Sequence, residues 1–481
     1  MAEDRDGDCD GATSAVRSPS HLNLGVDSIS DMPDVILQTI LSSLPIKFAI
    51  RTTTLSKRWR HVWCETPSLN LCGIYLSWTD SINETLARYK ARKMMSFHLC
   101  LHEHNDSPYI ESWIEFAKSR NVENMTLDLG SSHSSLYTMS HSFYINSSVK
   151  KLTLRLVFHD KIIPSSSVSW TSLKELFLLE CNLYDNGSPI PKILSGCPVL
   201  ESLTLHMCFC RNLKVLDLSK SLRLTRLVII NDWWVPGQIH HIVAPHLHNL
   251  SLTVPPYLPC NLVDVSSLTE ARLDIGFYSL QSFDADFLRL FLQNIIEKLQ
   301  NVEKLTFGEN FIKVFSLAEL LHVPLPLFKF KALTLNTMIS QYAIPGIVKL
   351  LQSSRELKKL TVHIKDEGLV IPDNVFDSYL RRHGSKTDKT WSSEAKVFKN
   401  ILRKNVESTH MASFMELVLK NTKTLENMVV RFGSYLEDRK FEELLEMVQM
   451  LSHDNNNVSI VLGSTTKSDQ RFFFNESRIK V

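Results

Sequence analysis

Cysteine is scarce: there are nine in 481 residues, an odd number spread too thinly for a disulfide scaffold. An excess of charge of either sign is also missing. Lysine and arginine total 53 against 51 acidic residues, a formal net charge of +2, so no global field draws the chain to nucleic acid or an anionic membrane. No long apolar run exists either. The longest stretch free of Asp, Glu, Lys and Arg, from Trp233 to Val263, carries five prolines and four histidines, which a membrane helix does not tolerate. Residues 1–11 read MAEDRDGDCDG, with none of the basic-then-apolar pattern of a secretory signal. Secretion is not expected, the cysteines are expected as reduced thiols, and cytosol or nucleus is the expected compartment.

Motifs that carry chemistry are missing as well. There is no GxxxxGK[ST], no strand-linked GxGxxG and no GxSxG. Asp6, Asp8, Asp10 and Gly11 mimic the start of a calcium loop, but the position that needs a bidentate Glu is Arg17. His102, Glu103 and His104 lack the i, i+4 spacing of a helical zinc pair. Cys208 and Cys210 fall at repeat core positions and read as buried thiols. No metal, cofactor or catalytic residue is expected.

What the chain does have is apolar residues, at 44% against 22% charged, enough to bury a substantial core. From Met94 to about Lys365 they follow one pattern, L-x-x-L-x-L. Its clearest copies are Leu173-Leu176-Leu178, Leu200-Leu203-Leu205, Leu247-Leu250-Leu252 and Leu357-Leu360-Val362. The middle positions fall at 97, 125, 152, 176, 203, 227, 250, 271, 305, 333 and 360, in steps of 28, 27, 24, 27, 24, 23, 21, 34, 28 and 27. Leucine-rich repeats run about 20–29 residues, so all but one step fits. Alternation within L-x-L makes a short strand with one face inward, and neighbouring units must stack to bury that face. Between strands, Ile110, Trp113, Ile114 and Ala117 have helical spacing. The expected fold is therefore α/β: a solenoid with a curved parallel sheet inside and helices or loops outside.

Composition divides the rest. Residues 1–25 read as a disordered acidic tail, 26–66 as a small helical module, 67–93 as a connector, 94–365 as the solenoid and 366–410 as a polar linker. Residues 411–463 read as a terminal cap of helix, strand, helix and closing strand, followed by a tail over 464–481.

The small module is dense in apolar residues. Ser30 or Asp31 can cap a first helix that carries Val35, Ile36, Ile40, Leu41 and Leu44 in a wide stripe, and Pro45 stops it. A second short helix spans Phe48–Leu55. Ser56 can cap a third, with Trp59, Val62 and Trp63 on one side and Lys57, Arg58 and Arg60 on a solvated face. About 40 residues seldom bury their own core alone. Burying Pro33, Ile36, Leu37, Ile40, Leu44 and Pro45, at roughly 1.5–3 kcal/mol per large side chain, would gain about 9–18 kcal/mol. Association costs on the order of 4–15 kcal/mol. The stripe either docks on another protein or packs on the chain's own solenoid.

Ser30, Met32, Pro33, Asp34, Ile36, Leu37, Ile40, Leu41, Ser42, Leu44 and Pro45, followed by Thr52, Leu55, Ser56, Lys57, Arg58, Trp59, Arg60, Val62 and Trp63, resemble the F-box family as found in plant proteins with leucine-rich repeats. Met32 stands where a Leu is usual, and Thr54 where an aliphatic residue is. The block 411–463 is similar to that family's C-terminal FBD-type unit. The resemblance implies an SCF-type ligase receptor that docks a Skp-family adaptor, and through it cullin and RING subunits. Met32, Pro33, Ile36, Leu37, Ile40, Leu44 and Pro45 would face the adaptor, with Leu41, Leu55, Trp59, Val62 and Trp63 as the module's core. The target would be an unknown protein.

The residue between the last two leucines of each repeat faces the open side of the sheet, and Thr is commonest there. Phe177 and Val228 depart from that, flanked by Leu179, His206 and Ile230, all within roughly 10 Å at ordinary strand spacing. With Trp233 and Trp234 in the following loop and Arg226 and Arg272 as a rim, they are the candidate target contact. Cover by an intrachain loop is the other reading. A ligand-assisted receptor would need clustered cations, whereas Arg155, Arg226, Arg272, Lys304 and Lys359 are scattered; a scaffold outside any ligase is a further alternative.

Overall fold

The computed structural model describes residues 29, 31–72, 78–101, 107–130, 139–156, 167–183, 189–210, 213–231, 239–254, 260–276, 284–364, 371–382, 393–398, 407–432, 438–451, 458–468 and 471–480. Three short helices open it: α1 (Asp34–Ser42), α2 (Ile46–Arg51) and α3 (Trp59–Val62). The repeats then contribute β1 (Ser68–Asn70), β2 (Ser96–Cys100), β3 (Asn124–Asp128), β4 (Lys151–Arg155), β5 (Glu175–Leu179), β6 (Ser202–His206), β7 (Val215–Asp217), β8 (Arg226–Ile230) and β9 (His241–Val243). After these come β10 (Asn249–Val254), β11 (Asn261–Asp264), β12 (Glu270–Ile275), β13 (Lys304–Gly308), β14 (Ala332–Thr337), β15 (Lys359–Ile364), β16 (Asn427–Phe432), β17 (Ser459–Ser468) and β18 (Arg471–Lys480).

One sheet of 15 strands runs β1-β2-β3-β4-β5-β6-β8-β10-β12-β13-β14-β15-β16-β17-β18. Every pairing up to β17 is parallel. Leu69 opposes Phe97, which opposes Met125, and the row continues through Leu152, Leu176, Leu203, Leu227, Leu250, Ala271, Leu305, Leu333, Leu360, Met428 and Ile460. Each member of that row is at most 2% exposed. The leucine period therefore sets the register, because a slip of one residue would turn every buried side chain outward.

Repeat length decides what connects the strands. Helices α4 (Trp78–Arg88), α5 (Ser107–Lys118), α6 (Pro189–Ser195), α7 (Ala285–Ile296), α8 (Glu309–Leu320) and α9 (Ile344–Gln352) lie in steps of 27 residues or more. The steps of 24, 23 and 21 residues from Leu203 to Ala271 instead hold β7, β9 and β11, which pair in parallel as a second sheet ordered β11-β9-β7. Extended chain covers about twice the distance per residue of a helix, so a short repeat can cross back only as strand. Leu216, Ile242 and Leu262 bury the middle of that sheet.

Three segments depart from the expected division. The stretch 67–93 is no mere connector, since it supplies β1 and α4, with Ile82 and Leu86 buried. The expected linker 366–410 holds α10 (Asp373–Arg382) and α11 (Ser393–Lys396), and Ile371, Phe376, Tyr379 and Leu380 are buried. It docks on α8. Lys313 Nζ donates to the Ile371 carbonyl at 2.9 Å and lies 3.4 Å from Asp373 and 3.5 Å from Glu309. Asn310 accepts from the Ile371 amide at 2.8 Å. An ammonium at 1% exposure needs these acceptors, and only the folded-back segment provides enough of them. The block from residue 411 continues the sheet: α12 (Ser408–Lys420) leads into β16, and α13 (Asp438–Gln449) into β17. The expected tail 464–481 is instead part of an antiparallel hairpin of β17 and β18.

The thiol expectation is corrected at one place. Cys72 and Cys100 are joined by a disulfide with Cα atoms 4.8 Å apart. They follow β1 and end β2 one repeat apart, and parallel stacking brings equivalent positions within bridging distance. Six described cysteines stay free and buried: Cys64, Cys181, Cys197, Cys208, Cys210 and Cys260. Cys181 Sγ donates to the Leu154 carbonyl at 3.4 Å and Cys208 Sγ to that of Leu178 at 3.3 Å, each reaching the preceding repeat.

Candidate functional site

The first helix has two apolar faces with different fates. Leu37 and Leu41, one turn apart, are 0% and 2% exposed and share a core with Ile46, Ala49, Trp59, Val62, Trp63 and Leu69 of the first repeat strand. Ile36 and Ile40, also one turn apart, are 47% and 45% exposed. Val35, Leu44, Phe48 and Leu55 continue this open surface. One face is sealed against the module's other helices and the first repeat strand; the other is bare.

Two expected roles change accordingly. Leu37 belongs to the core, because its position on α1 points toward Trp59, Val62 and Trp63. Leu55 is 66% exposed and belongs to the open surface. It follows the 3-10 turn Thr52–Thr54, which swings it away from the interior. Met32 is half-buried against the core, Pro33 is exposed and Pro45 is half-buried. Phe48 was not among the sequence candidates; it is on the outward side of α2, a position that the spacing of so short a helix does not reveal.

Capping also differs from expectation. Helix α1 starts at Asp34, after Pro33, with no side-chain cap; Ser30 lies outside the described residues. Arg58 holds the start of the helix in another way. Its guanidinium donates to Asp34 Oδ1 at 2.6 Å and to the Met32 carbonyl, so it is a brace, whereas Lys57 and Arg60 are exposed as expected. The N-cap position of the third helix is Arg58, not Ser56; Ser56, two residues earlier, accepts from the Trp59 amide at 3.4 Å.

The open face of the long sheet gathers the second set of candidates. Phe177, Thr204 and Val228 are neighbours across β5, β6 and β8, and so are Leu179, His206 and Ile230. The Phe177 and His206 rings meet edge-on at 6.3 Å. All five non-threonine members are half-buried. Arg226 is exposed on the same strand as Val228. Arg272 is exposed two strands further, through Ser251, and shares its strand face with Glu270 and Asp274. Trp233 and Trp234 lie outside the described residues.

Sequence reasoning missed the ion cluster beside this patch. Arg155 reaches Asp128 at 3.4 Å and Glu180 at 3.2 Å. Acids on the flanking repeats were the available signal. A second missed feature is a row of ion pairs before the strands: Glu123 binds both Lys93 and Lys150, Lys174 binds Glu201, and Lys358 binds Glu426. Lys93 and Lys150 hold the Glu123 carboxyl down at about 2. Among the described residues, no group of three or more His, Cys, Asp or Glu could hold a metal ion, and no helix is long and apolar enough to cross a membrane.

A three-helix module with one bare apolar face, carried on a leucine-rich-repeat solenoid, defines the class of protein. Comparison with known families and proteins gives the same result. The F-box domain family matches residues 29–70. The family described as "FBD-associated F-box protein At5g56370, LRR repeats" matches residues 110–275. Two Arabidopsis thaliana proteins are each 49% identical. The putative F-box/LRR-repeat protein At3g18150 aligns over 94% of this chain and 98% of its own length, and the F-box/LRR-repeat protein At3g03360 over 94% of each. The chain belongs to the F-box/LRR-repeat family.

Proposed function

We propose that the chain is the substrate-receiving subunit of an SCF-type cullin–RING ubiquitin ligase. The bare face of α1 and α2 would dock a Skp-family adaptor, and through it cullin and RING subunits. The solenoid would hold a protein target. In this reading the chain supplies no reacting group and no cofactor; it keeps a target near the conjugating enzyme and so raises its effective concentration. Such work belongs to the cytosol or nucleus.

The observation that carries the proposal is the split of α1 into buried Leu37 and Leu41 and bare Ile36 and Ile40. A fully exposed side chain of this size gains roughly 1.5–3 kcal/mol on burial. For the half-covered Val35, Ile36, Ile40, Leu44, Phe48 and Leu55, about half of that each gives on the order of 5–9 kcal/mol. A patch of this kind marks a protein contact. The target patch proposed here is Phe177, Leu179, His206, Val228 and Ile230, with Arg226 and Arg272 at its rim. A ligand-assisted variant finds less support, since Arg155 is engaged by Asp128 and Glu180.

The test is co-expression of the full chain with a Skp-family adaptor. Co-purification is expected for the wild type and loss for the Ile36→Asp/Ile40→Asp variant, with circular dichroism unchanged. A variant that keeps the adaptor ends this reading. Phe177→Asp should keep the adaptor and lose the target.

A further inference from the structure

Where the connecting layer changes from helix to strand, it leaves a gap. Helix α6 belongs to one repeat, β7 to the next, and between them lies a cavity of about 520 Å³. Ile190 and Leu194 of α6 form one wall; Leu200, Leu213 and Leu216 form the floor. Leu222, 70% exposed, and Val215, 46% exposed, stand at its mouth.

One side of this cavity is a free strand edge. Among the described residues β7 pairs only with β9. Lys214 accepts from the His241 amide at 3.0 Å, and the Leu218 amide donates to Val243 at 2.8 Å. In a parallel ladder alternate residues point their main-chain groups to opposite edges. Val215 and Asp217 therefore turn their N–H and C=O groups toward the cavity. Charge adds a third element. Lys220 and Arg223 line the cavity against one acid, Asp217, whose carboxylate is already engaged by the Ser219 amide at 2.9 Å.

We propose that this groove receives an extended acidic segment of a partner protein as a fourth strand beside β7. Main-chain bonds to Val215 and Asp217 would fix its direction, as in other strand additions. An apolar side chain would enter the cavity, and carboxylates on either side of it would meet Lys220 and Arg223. A strand is a better fit than a compact amphiphile because the unpaired edge runs along the same opening as the apolar floor. The surface is separate from the bare face of α1 and the open face of the long sheet, so the inference stands independently of the ligase reading.

The experiment selects a random decapeptide display library on the full chain. Expected are sequences with apolar residues at alternate positions flanked by Asp or Glu, whose affinity falls at least tenfold in the Lys220→Glu/Arg223→Glu variant. Leu222→Glu should weaken them too, and adaptor binding should not change in either variant. Hydrogen exchange of the Val215 and Asp217 amides should slow when peptide binds. Peptides without that pattern, equal binding to the charge-reversed variant, or unchanged exchange at those two amides would overturn strand addition. Dodecanoate filling the cavity when no peptide does so would assign it to a small amphiphile and overturn it as well.

Discussion

Arg58 donates to Asp34 Oδ1 at 2.6 Å across 24 residues of sequence, and the same guanidinium reaches the Met32 carbonyl. The third segment of the module thereby fixes the start of the first, on whose outer face Ile36 and Ile40 stand. Both partners are partly exposed, with side chains at 38% and 58%, and exposed pairs contribute about 0–1 kcal/mol. The brace matters for position more than for stability. Arg58→Ala is expected to weaken adaptor binding about three- to tenfold in calorimetric titration, while the unfolding midpoint stays nearly fixed.

Neighbouring residues on α1 should behave oppositely. Leu37→Ala removes a side chain at 0% exposure and should destabilise the chain by about 2–5 kcal/mol. Ile40→Ala, at 45% exposure, should cost roughly 0.5 kcal/mol or less yet lower adaptor affinity. Urea unfolding and adaptor titration on the same two variants check the contrast. Equal stability losses would contradict the two-faced description of the helix.

Lys313 ties the folded-back segment 371–382 to α8. Replacing it by Ala leaves Glu309, 4% exposed, without its counter-charge, and breaking such a buried pair costs about 3–5 kcal/mol. Limited proteolysis should then cut near Asp373 well before the wild type is cut.

Burial pushes the Glu309 carboxyl above its ordinary value of 4.5, with Lys313 opposing the shift. A group raised in the folded state binds more protons there than in the unfolded chain, so stability falls as pH rises above 4.5 through the folded value. Glu309→Gln lacks this dependence. Urea titrations from acid to neutral pH should show the variant gaining on the wild type as pH increases.

Burial raises the Cys197 and Cys260 thiols to about 12. Neither forms appreciable thiolate at pH 8, and each is at most 5% exposed. Iodoacetamide at that pH should leave both unmodified in the native protein, by peptide mass mapping, and should modify both after denaturation.

The strand register was legible because its cause is local. Each buried leucine two residues from the next commits its segment to one face, and the period carries that from Phe97 to Leu360. Leu69 escaped because Thr66 stands where the pattern needs its first leucine, although Leu69 and Leu71 do alternate and are both buried. The segment 371–382 escaped for another reason. Its polar flanks imitate a linker, and its docking depends on an ammonium on α8, 60 residues before Asp373. The burial of Leu37 and the exposure of Leu55 are not legible from spacing, because a stripe gives the apolar width of a helix but not which edge of it the rest of the chain covers.

By itself, then, the sequence determined the repeat, the register and the presence of an apolar three-helix module, since these follow from the spacing of side chains along one backbone. Tertiary structure alone decided which side of α1 is sealed, which cysteines meet, and where the connecting layer turns from helix to strand and opens beside α6. Those outcomes depend on distances between residues tens of positions apart, and only stacking of the repeats sets such distances.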